Sequence, residues 1–174
     1  MLNIPVVETE RLILRGPQPE DFPSYTAMWG DPEVTRFING SPLSEEEAWA
    51  KFMRAFGHWA LVGYGFWTVE EQGSGARLGE LGFLDVHRDI APSLNGIPEV
   101  GWALCRAAQG KGYATEAVKG ALGWGEQRFG KVRFACIIAP DNKPSLNVAA
   151  KTGFREALRT TYKGEPTVML YREP

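Results

Sequence analysis

One stretch of this chain restricts its fold more than any other. A strand-like run at Glu99–Cys105 leads into the loop Gln109-Gly110-Lys111-Gly112, and then into a helix where Ala114, Ala117, Val118, Ala121 and Leu122 recur at helical spacing. The next run, Val132–Ala139, is apolar except for Arg133, which predicts a strand covered on both faces. Strand, helix and strand in that order form a right-handed crossover, so residues 99–105 and 132–139 should be parallel neighbours.

The rest of the chain predicts antiparallel pairing and helices. Arg11–Arg15 reads as a short strand. Glu20 and Asp21 then supply acids suited to the first turn of a helix over 21–29. A second helix, 44–59, opens with Ser44 and Glu47 at capping-box spacing, and its face of Trp49, Phe52, Met53 and Phe56 reads as core. Residues 64–71 and 77–87 flank the five-residue loop Gln72–Ala76 as a hairpin. After the irregular segment 89–98 and the crossover, a short helix runs from Asp141-Asn142-Lys143-Pro144-Ser145 to about Thr152, where Gly153 ends it. Residues 154–162 and 166–172 close the chain as a hairpin around Lys163-Gly164-Glu165. Neither repeats nor a linker interrupt this pattern, so residues 1–174 are expected to form one domain.

Composition narrows the partners. A formal charge of -2 leaves no basic footprint for nucleic acid. No apolar stretch approaches the roughly 18 residues of a membrane span, and Met1–Glu8 lacks a basic region followed by an apolar one. A cytoplasmic protein without a membrane partner is expected. Cys105 and Cys136 each sit in apolar runs and read as buried small hydrophobes. His58 and His87 stand apart from other ligand-type residues, so no metal is expected.

A glycine loop that opens a helix lets backbone N–H groups approach an anion, although such loops also serve as plain tight turns. A nucleoside-triphosphate loop is excluded, because Cys105 stands at its first glycine position and Gly112 replaces its hydroxyl. A dinucleotide fingerprint fails at Thr115, where a third glycine or alanine belongs.

The segment Gln109-Gly110-Lys111-Gly112-Tyr113-Ala114 instead resembles the Gln/Arg-x-x-Gly-x-Gly/Ala pyrophosphate motif of the GNAT superfamily of N-acetyltransferases. The longer run Gly110–Ala117, with Asn142-Lys143-Pro144-Ser145, Lys151-Thr152-Gly153-Phe154 and the opening Glu8-Thr9-Glu10-Arg11-Leu12-Ile13-Leu14-Arg15, is similar to the RimJ/RimL branch. The resemblance implies an α/β fold of three layers: a mixed, mostly antiparallel sheet, flanked by helices and opened into a V between the fourth and fifth expected strands. It also implies acetyl-CoA as cosubstrate, and a small-molecule amine or protein N-terminus as acceptor. The pyrophosphate would rest on backbone amides of Gln109, Gly110, Lys111, Gly112, Tyr113, Ala114 and Thr115, with charge added by Lys111. Ala103, Leu104 and Cys105 would pair with the pantetheine arm, and Asn142 and Ser145 would lie near its thiol end. On the residues alone, Asn142 equally fits a turn at the start of a helix.

The reaction so implied is direct attack by an amine on the thioester within a ternary complex, with a monomer or a homodimer as the working unit. A base must take the amine proton. Glu99 is the leading candidate, since alternation places it on one strand face with Gly101, Ala103 and Cys105, although it also fits a solvated residue where a strand begins. Glu80 is held in reserve. Many relatives carry an acid tyrosine four residues before a Gly-Phe pair, where this chain has Ala149, so Ser145 is the expected proton donor to the departing thiolate. Without that tyrosine, a catalytically silent acyl-CoA-binding module is the alternative. A protein-interaction domain using exposed tryptophans is a third reading. Trp29, Phe37, Trp49 and Trp59 fit either an acceptor wall or plain core packing.

Overall fold

A computed structural model describes residues 3–174; Met1 and Leu2, at the head of the segment read as lacking a leader, lie outside the described residues. The strands are β1 (Val7–Glu8), β2 (Leu12–Arg15), β3 (Phe66–Glu71), β4 (Arg77–Leu84), β5 (Glu99–Leu104), β6 (Phe134–Ile138), β7 (Arg155–Tyr162) and β8 (Glu165–Arg172). The helices are α1 (Phe22–Trp29), α2 (Pro32–Thr35), α3 (Glu45–Val62), α4 (Tyr113–Phe129) and α5 (Lys143–Lys151). The sheet order is β1-β2-β3-β4-β5-β6-β8-β7, and every neighbouring pair is antiparallel except β5 and β6. The mixed sheet and its single parallel junction are those expected from the crossover.

Two helical layers cover the sheet. On one face, α4 and α5 bury Ala117, Val118, Ala121, Leu122 and Ala149 against Leu12, Trp67, Phe83, Val100 and Phe134. Gly125 permits this approach, because a Cβ there would lie 2.4 Å from the Phe83 ring. On the other face, Tyr25, Met28 and Trp29 of α1 pack with Ala48 and Phe52 of α3 above Ala103. Ile90 and Leu94 of segment 85–98 cover Ala135 and Met169 at the far end of that face.

Local chemistry sets the helix boundaries. At the start of α3, the Ser44 hydroxyl accepts from Glu47 N–H at 3.2 Å and the Glu47 carboxylate accepts from Ser44 N–H at 2.8 Å, the reciprocal pair expected of a capping box. The helix runs past Trp59 to Val62, because the residue that can adopt the left-handed stop is Gly63, at φ 76°. Its apolar stripe is wider than its contact: Phe52 is buried, but Trp49 is 48% exposed and Met53 50%, so only part of the expected core face is core. Asp21 does more than expected. It stands with Glu20 in the first turn of a short 3-10 helix, Pro19–Asp21, that precedes α1, but it is buried, and its carboxylate accepts Gln18 N–H at 2.9 Å, Arg15 Nη1 and Nη2 at 2.8 and 2.9 Å and the Thr68 hydroxyl at 2.9 Å, beside Arg77. In the last hairpin the turn is Lys163-Gly164, with φ of 52° and 82°, the left-handed pair that matches strand twist.

Candidate coenzyme and acceptor site

β5 and β6 are in register at one pair, Glu99 with Ala135, where Ala135 N–H donates to Pro98 O at 3.1 Å. Beyond it toward their carboxyl ends the two strands share no ladder, and a gap opens between them. Open α/β sheets hold ligands at this kind of junction. The chain leaves β5 through the Gly110–Gly112 loop into α4, and leaves β6 through 139–142 into α5, so both loops rim the same end of the gap.

The geometry of the loop suits an anion. Gly110 and Gly112 have φ of 74° and 81°, and Gly112 stands at the N-cap of α4 with no side-chain cap. The first amides of a seventeen-residue helix therefore lack intrahelical acceptors, and the helix dipole adds partial positive charge. Lys111 is exposed on the loop. These features fit a pyrophosphate held by backbone, as the motif implies for Gln109–Thr115.

Strand alternation corrects the expected pantetheine contacts. Cys105 N–H donates to Leu78 O at 2.8 Å, and the Ala103 carbonyl lies on the β4 side, 2.1 Å from where a Gly79 Cβ would sit. Ala103 and Cys105 therefore turn their backbone groups toward β4, and Leu104 and Trp102 present theirs to the gap. The Leu104 carbonyl accepts Gln109 Nε2 at 3.2 Å, which leaves its N–H and the Trp102 groups along the open edge. Counting back from the motif gives no backbone facing, so the sequence alone does not single out Trp102. Across the gap, Asn142 caps α5, its Oδ1 accepting from Ser145 N–H at 3.2 Å, and Ser145 is half-buried in the first turn. Ala149 is fully buried in the core beneath α5. Cys136 is buried, and burial pushes its thiol up, whereas Cys105 is only half-buried, beside Tyr25, Met28 and Leu78 on the α1 side, contrary to expectation.

Two carboxylates share the α1–α3 face of the sheet, and their surroundings differ. Glu99 lies at the apex, where Arg88 Nε reaches Oε2 at 2.6 Å and Nη2 reaches Oε1 at 2.7 Å. The same guanidinium donates to Tyr162 Oη at 3.0 Å, which ties segment 85–98, β5 and the last hairpin together. Both Glu99 oxygens are thus held in a fork. Glu80 lies opposite Ala103 in the β4–β5 ladder, 5% exposed, with Tyr25 Oη at 3.4 Å and Lys51 Nζ at 3.6 Å from Oε1. Burial pushes its carboxyl up from the ordinary range, and the Lys51 charge and the Tyr25 hydroxyl only partly offset that. A cavity beside it is lined by Tyr25, Phe52, Phe66 and Thr68. Trp29 and Trp59 are core, Phe37 is half-buried against Arg36, and Trp49 is the exposed one of the four aromatics.

Among the described residues, no group of three or more His, Cys, Asp or Glu could hold a metal ion, and no helix is long and apolar enough to cross a membrane. Comparison with known proteins agrees with the geometry. The curated N-acetyltransferase p20 of Bacillus licheniformis, itself uncharacterized, is 28% identical over 157 residues, 89% of this chain and 85% of that protein. A solved structure from Bordetella pertussis, assigned to the GnaT acetyltransferases, superposes with a TM-score of 0.83 at 30% identity, covering 97% of this chain and 99% of that one. The ribosomal L7/L12 α-N-protein acetyltransferase RimL, solved in complex with coenzyme A, shares the fold at a TM-score of 0.76 and 19% identity, covering 97% and 98%. Residues 11–155 match the acetyltransferase (GNAT) domain, so the split sheet and its glycine loop belong to a member of the GNAT acetyltransferase family, whose acetyl donor is acetyl-CoA.

Proposed function

We propose that this chain transfers the acetyl group of acetyl-CoA to a primary amine, on a small molecule or a protein N-terminus, by direct attack in a ternary complex. The observation that carries the reading is the one-rung junction of β5 and β6, ending on the uncapped N-terminus of α4. Backbone amides from Gln109 to Thr115 hold the pyrophosphate, and the open edge at Trp102 and Leu104 aligns the pantetheine arm. An amine attacks only as the free base, so its proton has to leave. Glu80 takes this role in preference to Glu99: its carboxylate has long contacts and an aromatic cavity beside it, while both Glu99 oxygens are engaged by Arg88. A desolvated carboxylate with a raised proton affinity is a stronger base than a solvated one. As the carbon–sulfur bond breaks, the Ser145 hydroxyl donates a hydrogen bond to the departing thiolate and keeps its own proton; the thiolate, with a pKa near ~8–9 by analogy with cysteine, leaves as the anion and takes its proton from water, which makes that help modest.

The test is thiol release from acetyl-CoA over an amine panel, with coenzyme A binding measured by calorimetry. Turnover with at least one amine is expected; binding without turnover across the panel identifies a silent acyl-CoA module instead. Gly112→Asp places a side chain and a negative charge against the anion, and should abolish coenzyme A binding in a folded protein. Undiminished affinity in that variant puts the coenzyme elsewhere.

A further inference from the structure

The opening motif Glu8–Arg15 and the glycine-loop motif Gly110–Ala117 are about a hundred residues apart, and the proposed chemistry uses only the second. The structure joins them at Glu116. Its Oε1 accepts from the Thr9 hydroxyl at 2.6 Å and from Arg11 N–H at 2.7 Å, and its Oε2 accepts from Arg11 Nε at 2.7 Å. With its Nε fixed in this way, the Arg11 guanidinium lies 4.5 Å over the Tyr113 ring and donates from Nη1 to the Lys111 carbonyl at 3.0 Å. Its Nη2 lies 3.4 Å from where a Cβ on Gly112 would stand.

That last donor bond has a directional consequence. In a trans peptide the carbonyl of one residue and the N–H of the next point in opposite directions. Holding the Lys111 carbonyl toward Arg11 therefore turns Gly112 N–H away from Arg11, to the outer side of the loop. Gly112 lacks a side chain to fix that plane, and its φ of 81° is one of several that glycine reaches easily, so the orientation needs an external hold. We infer that Arg11, braced by Glu116 and Thr9, is a positioning residue for the coenzyme loop: it sets the Lys111–Gly112 peptide plane so that Gly112 N–H faces the pyrophosphate. The inference rests on the reading of Gln109–Thr115 as the coenzyme loop. It also explains the pairing of the two motifs, since an arginine fork needs both the Glu116 carboxylate and the loop carbonyl to be useful.

The test measures coenzyme A affinity by calorimetry and acetyl-CoA kinetics for Arg11→Met, Arg11→Lys and Glu116→Gln, with Gly112→Asp alongside. Arg11→Met should weaken coenzyme A binding roughly tenfold, the scale of one charge-assisted hydrogen bond, and raise KM for acetyl-CoA in step. Its kcat at saturating acetyl-CoA should change much less, because the reacting atoms are untouched. Arg11→Lys keeps the charge but has no fork, so it should recover only part of the affinity. Glu116→Gln should weaken binding in the same direction, and it carries the test if Arg11→Met does not fold. A purely structural role lowers the melting temperature and leaves the affinity of the folded protein unchanged. Affinity within twofold of wild type in both Arg11→Lys and Glu116→Gln, with Gly112→Asp unable to bind, overturns the inference and leaves the coenzyme loop standing. Normal binding by Gly112→Asp overturns both.

Discussion

Glu80→Gln should separate activity from stability, if Glu80 is the base we propose. The carboxylate is 5% exposed, and its contacts to Tyr25 and Lys51 measure 3.4 and 3.6 Å, long beside the 2.7–2.9 Å of good charge-assisted bonds. A buried charge so poorly matched carries a desolvation deficit of about 1–3 kcal/mol. Because burial raises its folded pKa, Glu80 contributes its full stability below the unfolded carboxyl value of about 4.3, and that contribution is lost as pH rises through the folded value. At pH 7–8 the ionised group therefore works against the fold. A neutral amide of the same shape removes most of that penalty and leaves Lys51, 23% exposed, free to reach water. The expected result is a gain of about 1 kcal/mol, or roughly 2–4 °C in melting temperature for a chain of this size. Turnover should fall by about 10²–10⁴-fold, with coenzyme A affinity unchanged. Thiol release followed from pH 5 to 9 supplies the second readout: the acid limb of wild-type kcat/KM should lie above the ordinary carboxylate range and vanish in the variant. Wild-type turnover with the same acid limb refutes Glu80 as the base, and a melting temperature lowered by several degrees refutes the desolvation argument.

Glu99→Gln should behave in the opposite way: it releases the Arg88 fork, so stability falls by about 3 kcal/mol, within the range for breaking a buried pair, while the acid limb persists; calorimetric unfolding and a pH profile decide it. Ser145→Ala should slow turnover about tenfold, or ~1.4 kcal/mol in transition-state stabilisation, and full activity removes Ser145 from the mechanism. Ala149→Tyr should not restore that loss, because Ala149 is fully buried in the core and a ring there overpacks it; a rate regained in a folded double variant contradicts this. Acid unfolding should begin as Asp21 protonates: burial alone raises its carboxyl, but the Arg15 fork and Gln18 N–H outweigh it and hold the folded value low, so its stabilisation is present above the unfolded value near ~3.9 and is lost as pH falls below it. Asp21→Asn should flatten that acid dependence in urea titrations.

Much of the architecture was legible because its signals are local. The Ser44–Glu47 box, the loop at 72–76 and the apolar run at 132–139 each specify an element from a few neighbouring residues, and the crossover rule then makes β5 and β6 parallel. The glycine loop was legible for the same reason, since its φ angles demand glycine where the motif has it. The pairings that set the chemistry were not. Nothing near Glu99 in the sequence announces Arg88, eleven residues back across an irregular segment, nor does anything near Glu80 announce Lys51 and Tyr25 on two separate helices. Period-two alternation gave the correct side-chain faces of β5, but backbone facing also depends on which residue pairs with Leu78. Trp49 and Met53 fell on the right helix face, yet α1 is too short to cover all of it.

The one-rung junction between β5 and β6 also bears on how the protein is made. All strands on one side of the junction precede residue 105, and all strands on the other follow residue 133, so the ribosome delivers the sheet as two consecutive halves. Until Phe134–Ile138 emerges, β5 is an edge, with the backbone groups of Trp102 and the Leu104 N–H unpaired and the apolar side chains of Val100 and Leu104 alongside. Edges of that kind recruit strands from other chains. The nascent protein thus shows for a time the same open hydrogen-bonding line along which we propose that the coenzyme arm lies. On that proposal, vulnerability during synthesis and coenzyme capture afterwards have one structural origin, and an edit that closed the gap to improve folding would remove the groove with it.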